Sequence, residues 1–152
     1  MAENPLEEEK GGRQNTNITQ GAIFADDFRQ QDEVVALKSG ILYKVETVGT
    51  GKTPKTSDRV KVNYIGRHVD GKVFDNSKEG EPREIRVDRQ IEGWQEVLPR
   101  MREGDKWRVV IPSHLAYGAS GSPQGNIGPN ETLDFTIELV NVLDPYKKNE
   151  TK

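Results

Sequence analysis

The sequence predicts an α+β fold: a strongly twisted antiparallel half-barrel of about five strands wrapped around one short α-helix. Three observations carry this. After Gly40 the apolar residues recur at period two in successive short runs. The stretches between those runs are turn clusters, mostly too short for the crossover helices of a parallel sheet. Within this region only "QIEGWQEVLPRM", residues 90–101, has helical spacing, through Trp94, Val97, Leu98 and Met101.

The chain begins with a polar extension, 1–38. It carries Glu7, Glu8 and Glu9, then Gly11 and Gly12, with few apolar residues before Gly21. Such a segment buries too little to offset its ordering entropy, so it is expected to be largely flexible. The scattered apolar residues of "AIFADDFRQQDEVVAL" (22–37) allow a short helix or docked arm there.

The strands follow in order. "ILYKVETV" (41–48) is rich in β-formers, and "RVKVNYIG" (59–66) puts Val60, Val62 and Tyr64 on one face. "EIRV" (84–87) pairs Ile85 with Val87. "KWRVVIP" (106–112) aligns Trp107, Val109 and Ile111. "TLDFTIELVNVL" (132–143) alternates Leu133, Phe135, Ile137 and Leu139 with polar residues. Pro99 keeps the single helix brief, and that helix covers the apolar face of the sheet. The fold-bearing region is thus 39–145, and 146–152 is read as a flexible tail.

Composition excludes several functions. The chain has 152 residues, no cysteine and a formal net charge of -3. Disulfides, thiolate metal sites and thiol nucleophiles are therefore absent. The acidic balance argues against nucleic acid as a partner. No apolar run approaches the ~20 residues of a membrane span. The opening "MAENPLEEEKGG" has no secretion-signal pattern, so the sequence as it stands reads as cytoplasmic, or as exported after removal of a signal.

Other motifs fail. "GTGKT" (49–53) lacks the earlier glycine of a phosphate loop, because position 46 is Glu46. His68 and His114 have no local partner at metal-ligand spacing, and no metal site is expected. N-x-T sequons at Asn17, Asn130 and Asn149 matter only on a eukaryotic secretory route.

Six motifs in register remain: Y-x-G at Tyr64, D-G-x-x-F-D-x-S at 70–77, I-x-G-W at 91–94, M-x-x-G at 101–104, I-P-x-x-L-A-Y-G at 111–118 and P-N-x-T-L-x-F at 129–135. Together they resemble the FKBP-type peptidyl-prolyl cis-trans isomerases over residues 39–143. The lead-in is similar to the Mip-like branch, whose members carry a helical extension and are often dimeric and exported.

The resemblance implies an enzyme that accelerates X-Pro rotation during protein folding, without cofactor or metal. It implies Trp94 as the floor of a proline pocket, with Tyr64, Phe74, Phe135 and Ile127 as walls. The Ile91 N–H and the Tyr117 hydroxyl would bind substrate carbonyls, Asp75 would orient Tyr64, and Ala116 would leave room for the ligand. Tyr64, Asp75 and Tyr117 are the residues expected to act on the twisting amide.

Arg83 and Gln90 stand where many members have apolar residues, which makes the rim more polar. Expected partners are proline-containing polypeptides and macrolides such as rapamycin. A monomer is expected, with dimerisation through the extension as the other possibility. The competing function is a low-activity binding module or holdase chaperone that uses the same pocket.

Overall fold

Seven strands, numbered in chain order, form one antiparallel sheet; six follow the order first, second, sixth, seventh, third, fourth, and the fifth pairs with the third off that path. The computed structural model describes residues 5–145. The tail expected at 146–152, with the Asn149 sequon, lies outside the described residues, as do residues 1–4. The elements are α1 (Pro5–Arg29), β1 (Val35–Ala36), β2 (Leu42–Thr47), β3 (Asp58–Arg67), β4 (Val73–Asn76) and β5 (Arg83–Arg86). They continue with α2 (Glu92–Val97), β6 (Lys106–Ile111) and β7 (Leu133–Pro145).

The long strands form where the alternation is strongest. β3 pairs with β7 along its length, with two register shifts, and β6 pairs with β7 from Lys106↔Glu138 to Ile111↔Leu133. One edge of β3 is divided between two short strands. Its first half takes β5, Arg59↔Arg86 to Val62↔Arg83, and its second half takes β4.

The α+β architecture is the expected one, and two strands exceed the expected number. β1 has only two residues, and β4, Val73–Asn76, has only Val73 and Phe74 as adjacent apolar residues and so no alternation to read. The expected pairing of Ile85 with Val87 differs too. Val87 opens a 3₁₀ turn beyond β5, and there it is fully buried.

The helix at 92–97 covers the concave face. Trp94 is 4% exposed, and Val97, Leu98 and Met101 are fully buried against Val60, Val62, Val109, Ile111, Ile137 and Leu139. Burial of each such aliphatic side chain contributes about 1.5–3 kcal/mol. Pro99 lies in a 3₁₀ turn, Leu98–Arg100, that ends the helical segment. Gly93 is required by close approach: a Cβ there would lie 2.6 Å from Ile111 Cγ2.

The extension differs most from expectation. α1 is 25 residues long and starts at Pro5, well before the short helix allowed at 22–37. A helix that is polar nearly all round leaves no periodic signal to read. Its C-terminal part packs on the convex face of the sheet, where Phe28, Leu42 and Val110 form a second buried cluster with Phe24, Ala25 and Val34. Val110 therefore faces α1 while Val109 and Ile111 face α2, as strand alternation requires. Asp134 is also buried on this convex side. It accepts two bonds from Arg108, at 3.0 and 2.7 Å, and the Arg108 guanidinium lies 5.5 Å from the centre of the Phe28 ring.

Candidate active site

A cleft of about 430 Å³ opens between α2, the β4–β5 edge and the loop that follows β6. Each wall comes from a different element. β3 supplies Tyr64, β4 supplies Phe74 and Asp75, and β7 supplies Phe135. Arg83 and Ile85 come from β5, and Arg89, Gln90 and Ile91 from the connection into α2. Trp94 stands on the first turn of α2, and Tyr117 on the loop after β6.

The aromatic rings interlock edge to face. Trp94 meets Tyr64 at 5.2 Å and 84° and Phe135 at 5.4 Å and 79°, while Phe74 meets Phe135 at 5.7 Å and 80°. This is the geometry that ring quadrupoles favour. Gly66 leaves the necessary space, since a Cβ there would lie 2.6 Å from Phe74 Cζ and 2.9 Å from Phe135 Cε1. The Trp94 indole is buried, and its Nε1–H has no hydrogen-bond partner among the described residues.

A polar chain runs along one side of this apolar surface. Tyr64 Oη donates to Asp75 Oδ2 at 2.8 Å and accepts from Arg83 Nη1 at 2.8 Å. Burial raises the Tyr64 pKa above its ordinary value. The hydrogen bond to Asp75 adds to the rise and outweighs the opposing Arg83 charge. Burial also raises the Tyr117 pKa, with the Asp75 charge contributing. Both hydroxyls are therefore held as neutral donors. Tyr117 is 39% exposed, and its hydroxyl has no protein partner among the described residues.

The approach to α2 is fixed by side-chain bonds to backbone. Gln90 Nε2 donates to the Arg86 carbonyl at 3.1 Å, and Gln95 Nε2 donates to the Gln90 carbonyl at 2.7 Å. The Ile91 carbonyl accepts from Trp94 N and Gln95 N. The Ile91 N–H itself is unused within the described residues, as a helix N-cap donor can be.

The cleft thus gathers Tyr64, Phe74, Asp75, Arg83, Gln90, Ile91, Trp94, Tyr117 and Phe135. It does not include Ala116 or Ile127. Ala116 ends the 3₁₀ turn Ser113–Leu115 and packs against the core. Ile127 is 4% exposed and is held by paired backbone bonds to Ser122 at 2.8 and 2.9 Å. It borders a different cavity, beside α1. The reading by sequence missed Ile85 and Arg89 as cleft residues. Ile85 was legible only as a strand residue, and no pattern marks Arg89.

Residues 50–140 match the FKBP-type peptidyl-prolyl cis-trans isomerase domain. The chain belongs to this family. Among relatives, it is 42% identical over 127 residues to the peptidyl-prolyl cis-trans isomerase Mip of Coxiella burnetii, covering 83% of this chain and 55% of that one. Two crystal structures share its architecture. FkpA from Escherichia coli superposes with a TM-score of 0.84 at 40% identity, covering 91% of this chain and 64% of that one. A peptidyl-prolyl cis-trans isomerase from Pseudomonas syringae pv. tomato superposes at 0.78 and 38%, covering 95% and 100%. The chain spans about half the length of the curated Mip and FkpA relatives it matches, 55% and 50% respectively.

Proposed function

We propose that this FKBP-family chain catalyses cis–trans rotation about X-Pro bonds of polypeptides, and that the cleft over Trp94 is where it does so. The observation that carries the reading is the edge-to-face set Tyr64, Trp94, Phe135 and Phe74 bordering an open cleft beside two unused donors, the Ile91 N–H and the Tyr117 hydroxyl.

Amide resonance sets a rotational barrier of ~18–20 kcal/mol. Uncatalysed X-Pro exchange takes tens to hundreds of seconds. No covalent bond has to break, so a catalyst need only favour the twisted amide over both planar forms. Shortening ~100 s to ~10 ms requires about 5.5 kcal/mol.

Twisting removes resonance and makes the amide less polar. A water-poor aromatic hollow therefore disfavours the planar dipole more than the rotated form. In this reading the proline ring sits against the Trp94 indole, with Tyr64, Phe74 and Phe135 around it. The Ile91 N–H and the Tyr117 hydroxyl bind flanking carbonyls and hold the peptide in a turn. Asp75 positions the Tyr64 hydroxyl. A macrolide whose pipecolyl ring imitates proline is expected to occupy the same place. Of the two compartments compatible with the sequence, export is the one the Mip resemblance implies.

The test is NMR exchange spectroscopy on an Ala-Leu-Pro-Phe peptide. Acceleration at micromolar protein that is lost in Trp94→Leu supports the reading, and no acceleration by the folded protein overturns it. Rapamycin titration in a Trp107→Phe background reports on Trp94 fluorescence alone and tests macrolide binding.

A further inference from the structure

Charge along the cleft is uneven. Its lining holds three ionisable side chains of fixed sign at neutral pH: Asp75, Arg83 and Arg89. Asp75 is already occupied by the Tyr64 hydroxyl. Arg83 spends one N–H on that same hydroxyl, and no described carboxylate pairs with it. Arg89 likewise has no carboxylate partner among the described residues, since the neighbouring Asp88 pairs with Arg86. Glu84, beside Arg83, is engaged by Arg59.

Two guanidinium groups therefore border the aromatic hollow against one carboxylate, Asp75, which shares the Tyr64 hydroxyl with Arg83, so the rim carries an excess positive charge. Arg83 projects from β5 beside Tyr64, and Arg89 lies two residues before the Ile91 N–H. Guanidinium groups present several donors in a planar fork suited to carboxylates.

We propose that Arg83 and Arg89 are specificity-determining residues that select clients bearing a carboxylate side chain next to the proline. This rests on the cleft being the site of X-Pro rotation, as argued above. A peptide turned over Trp94, with its flanking carbonyls on Ile91 and Tyr117, would present the side chain next to its proline to the rim that Arg83 and Arg89 line. Apolar residues still enter the hollow, but among polar neighbours an acidic one is favoured and a basic one repelled. Exposed pairs of this kind change affinity modestly, so the expected preference for Glu over the isosteric Gln is about two- to fivefold.

The experiment compares kcat/KM for Ala-Glu-Pro-Phe, Ala-Gln-Pro-Phe, Ala-Lys-Pro-Phe and Ala-Leu-Pro-Phe. NMR exchange is used so that no helper protease imposes its own charge preference. The expected order among the polar three is Glu, then Gln, then Lys, with the Glu-to-Gln ratio shrinking between about 0.02 and 0.5 M salt. The ratio is also expected to approach one in Arg83→Leu/Arg89→Gln. A wild-type ratio near one, or a ratio that survives in the double variant, overturns the assignment. Failure of every peptide, the Leu peptide included, would instead overturn the proposed isomerase site.

Discussion

Arg83 donates to the very oxygen through which Tyr64 donates to Asp75, each bond 2.8 Å long. Three residues from three strands thus share one hydroxyl. Tyr64→Phe deletes that hydroxyl and leaves both Asp75 and Arg83 without their partner. The expected cost is about 1–2 kcal/mol of stability, measured by urea unfolding, and about a tenfold loss of kcat/KM on an X-Pro peptide.

Trp94 has a double role in packing and lining, so its replacement is expected to separate two readouts. Trp94→Leu removes both edge-to-face contacts with Tyr64 and Phe135. Stability should fall by about 2–4 kcal/mol, while kcat/KM of the protein that remains folded falls at least about tenfold. Unfolding followed by circular dichroism gives the first number, and exchange kinetics below the transition give the second.

The convex face offers a test of buried charge. Asp134 is 2% exposed and holds Arg108 beside Phe28. Asp134→Ala leaves the partly exposed guanidinium with only the Glu46 charge near it and is expected to cost about 1–3 kcal/mol. Arg108→Met/Asp134→Leu should recover most of that loss, because a well-packed apolar pair needs no counter-charge. A double-mutant cycle in urea measures the coupling.

Acid sensitivity should trace partly to Glu103. Its Oε2 accepts from Val142 N at 2.6 Å and its Oε1 from Lys52 N at 3.2 Å. These two backbone bonds, Val142 first, lower its pKa from the ordinary 4.5. A lowered native pKa stabilises the fold above the unfolded value, and that contribution disappears as pH falls through the native one. Glu103→Gln is therefore expected to flatten the stability profile below about pH 4.5. Thermal unfolding across that range checks it.

Alkaline behaviour has the opposite sign. The raised pKa values of Tyr64 and Tyr117 mean that the native state holds both protons more tightly than the unfolded chain. Their stabilisation is complete below the ordinary tyrosine value near 10 and is lost as pH climbs through the native values. The tyrosine limb of kcat/KM should accordingly lie above pH 10 and move in Tyr117→Phe.

Much of the concave side was legible from residues alone. Period-two alternation marked β3, β6 and β7, and the spacing Trp94, Val97, Leu98, Met101 marked the covering helix. The convex side was not. Val110 and Asp134 occupy the positions that alternation gives to solvent; α1 packs on Val110, and Arg108, lying over Phe28, pairs with Asp134. Nothing in the polar start of α1 announces that helix. The cleft aromatics came from motifs in register, since a core aromatic and a cleft aromatic obey the same alternation. Ile127 lies outside all six motifs; it is buried in the same cluster as Trp94 and Phe135 and, paired with Ser122, borders the neighbouring cavity.

The contact between α1 and the sheet bears on how this protein can be cut. Gly21 passes so near Thr132 that an added methyl would lie 2.5 Å from its Oγ1, and Phe28 closes over Leu42 and Val110 a little further along. An expression boundary at residue 39, the natural choice from motif coverage, would strip that lid and present Leu42 and Val110 to water. Such a shortened version should aggregate more readily than one retaining residues from about Thr16 onward, even with every residue lining the Trp94 cleft intact.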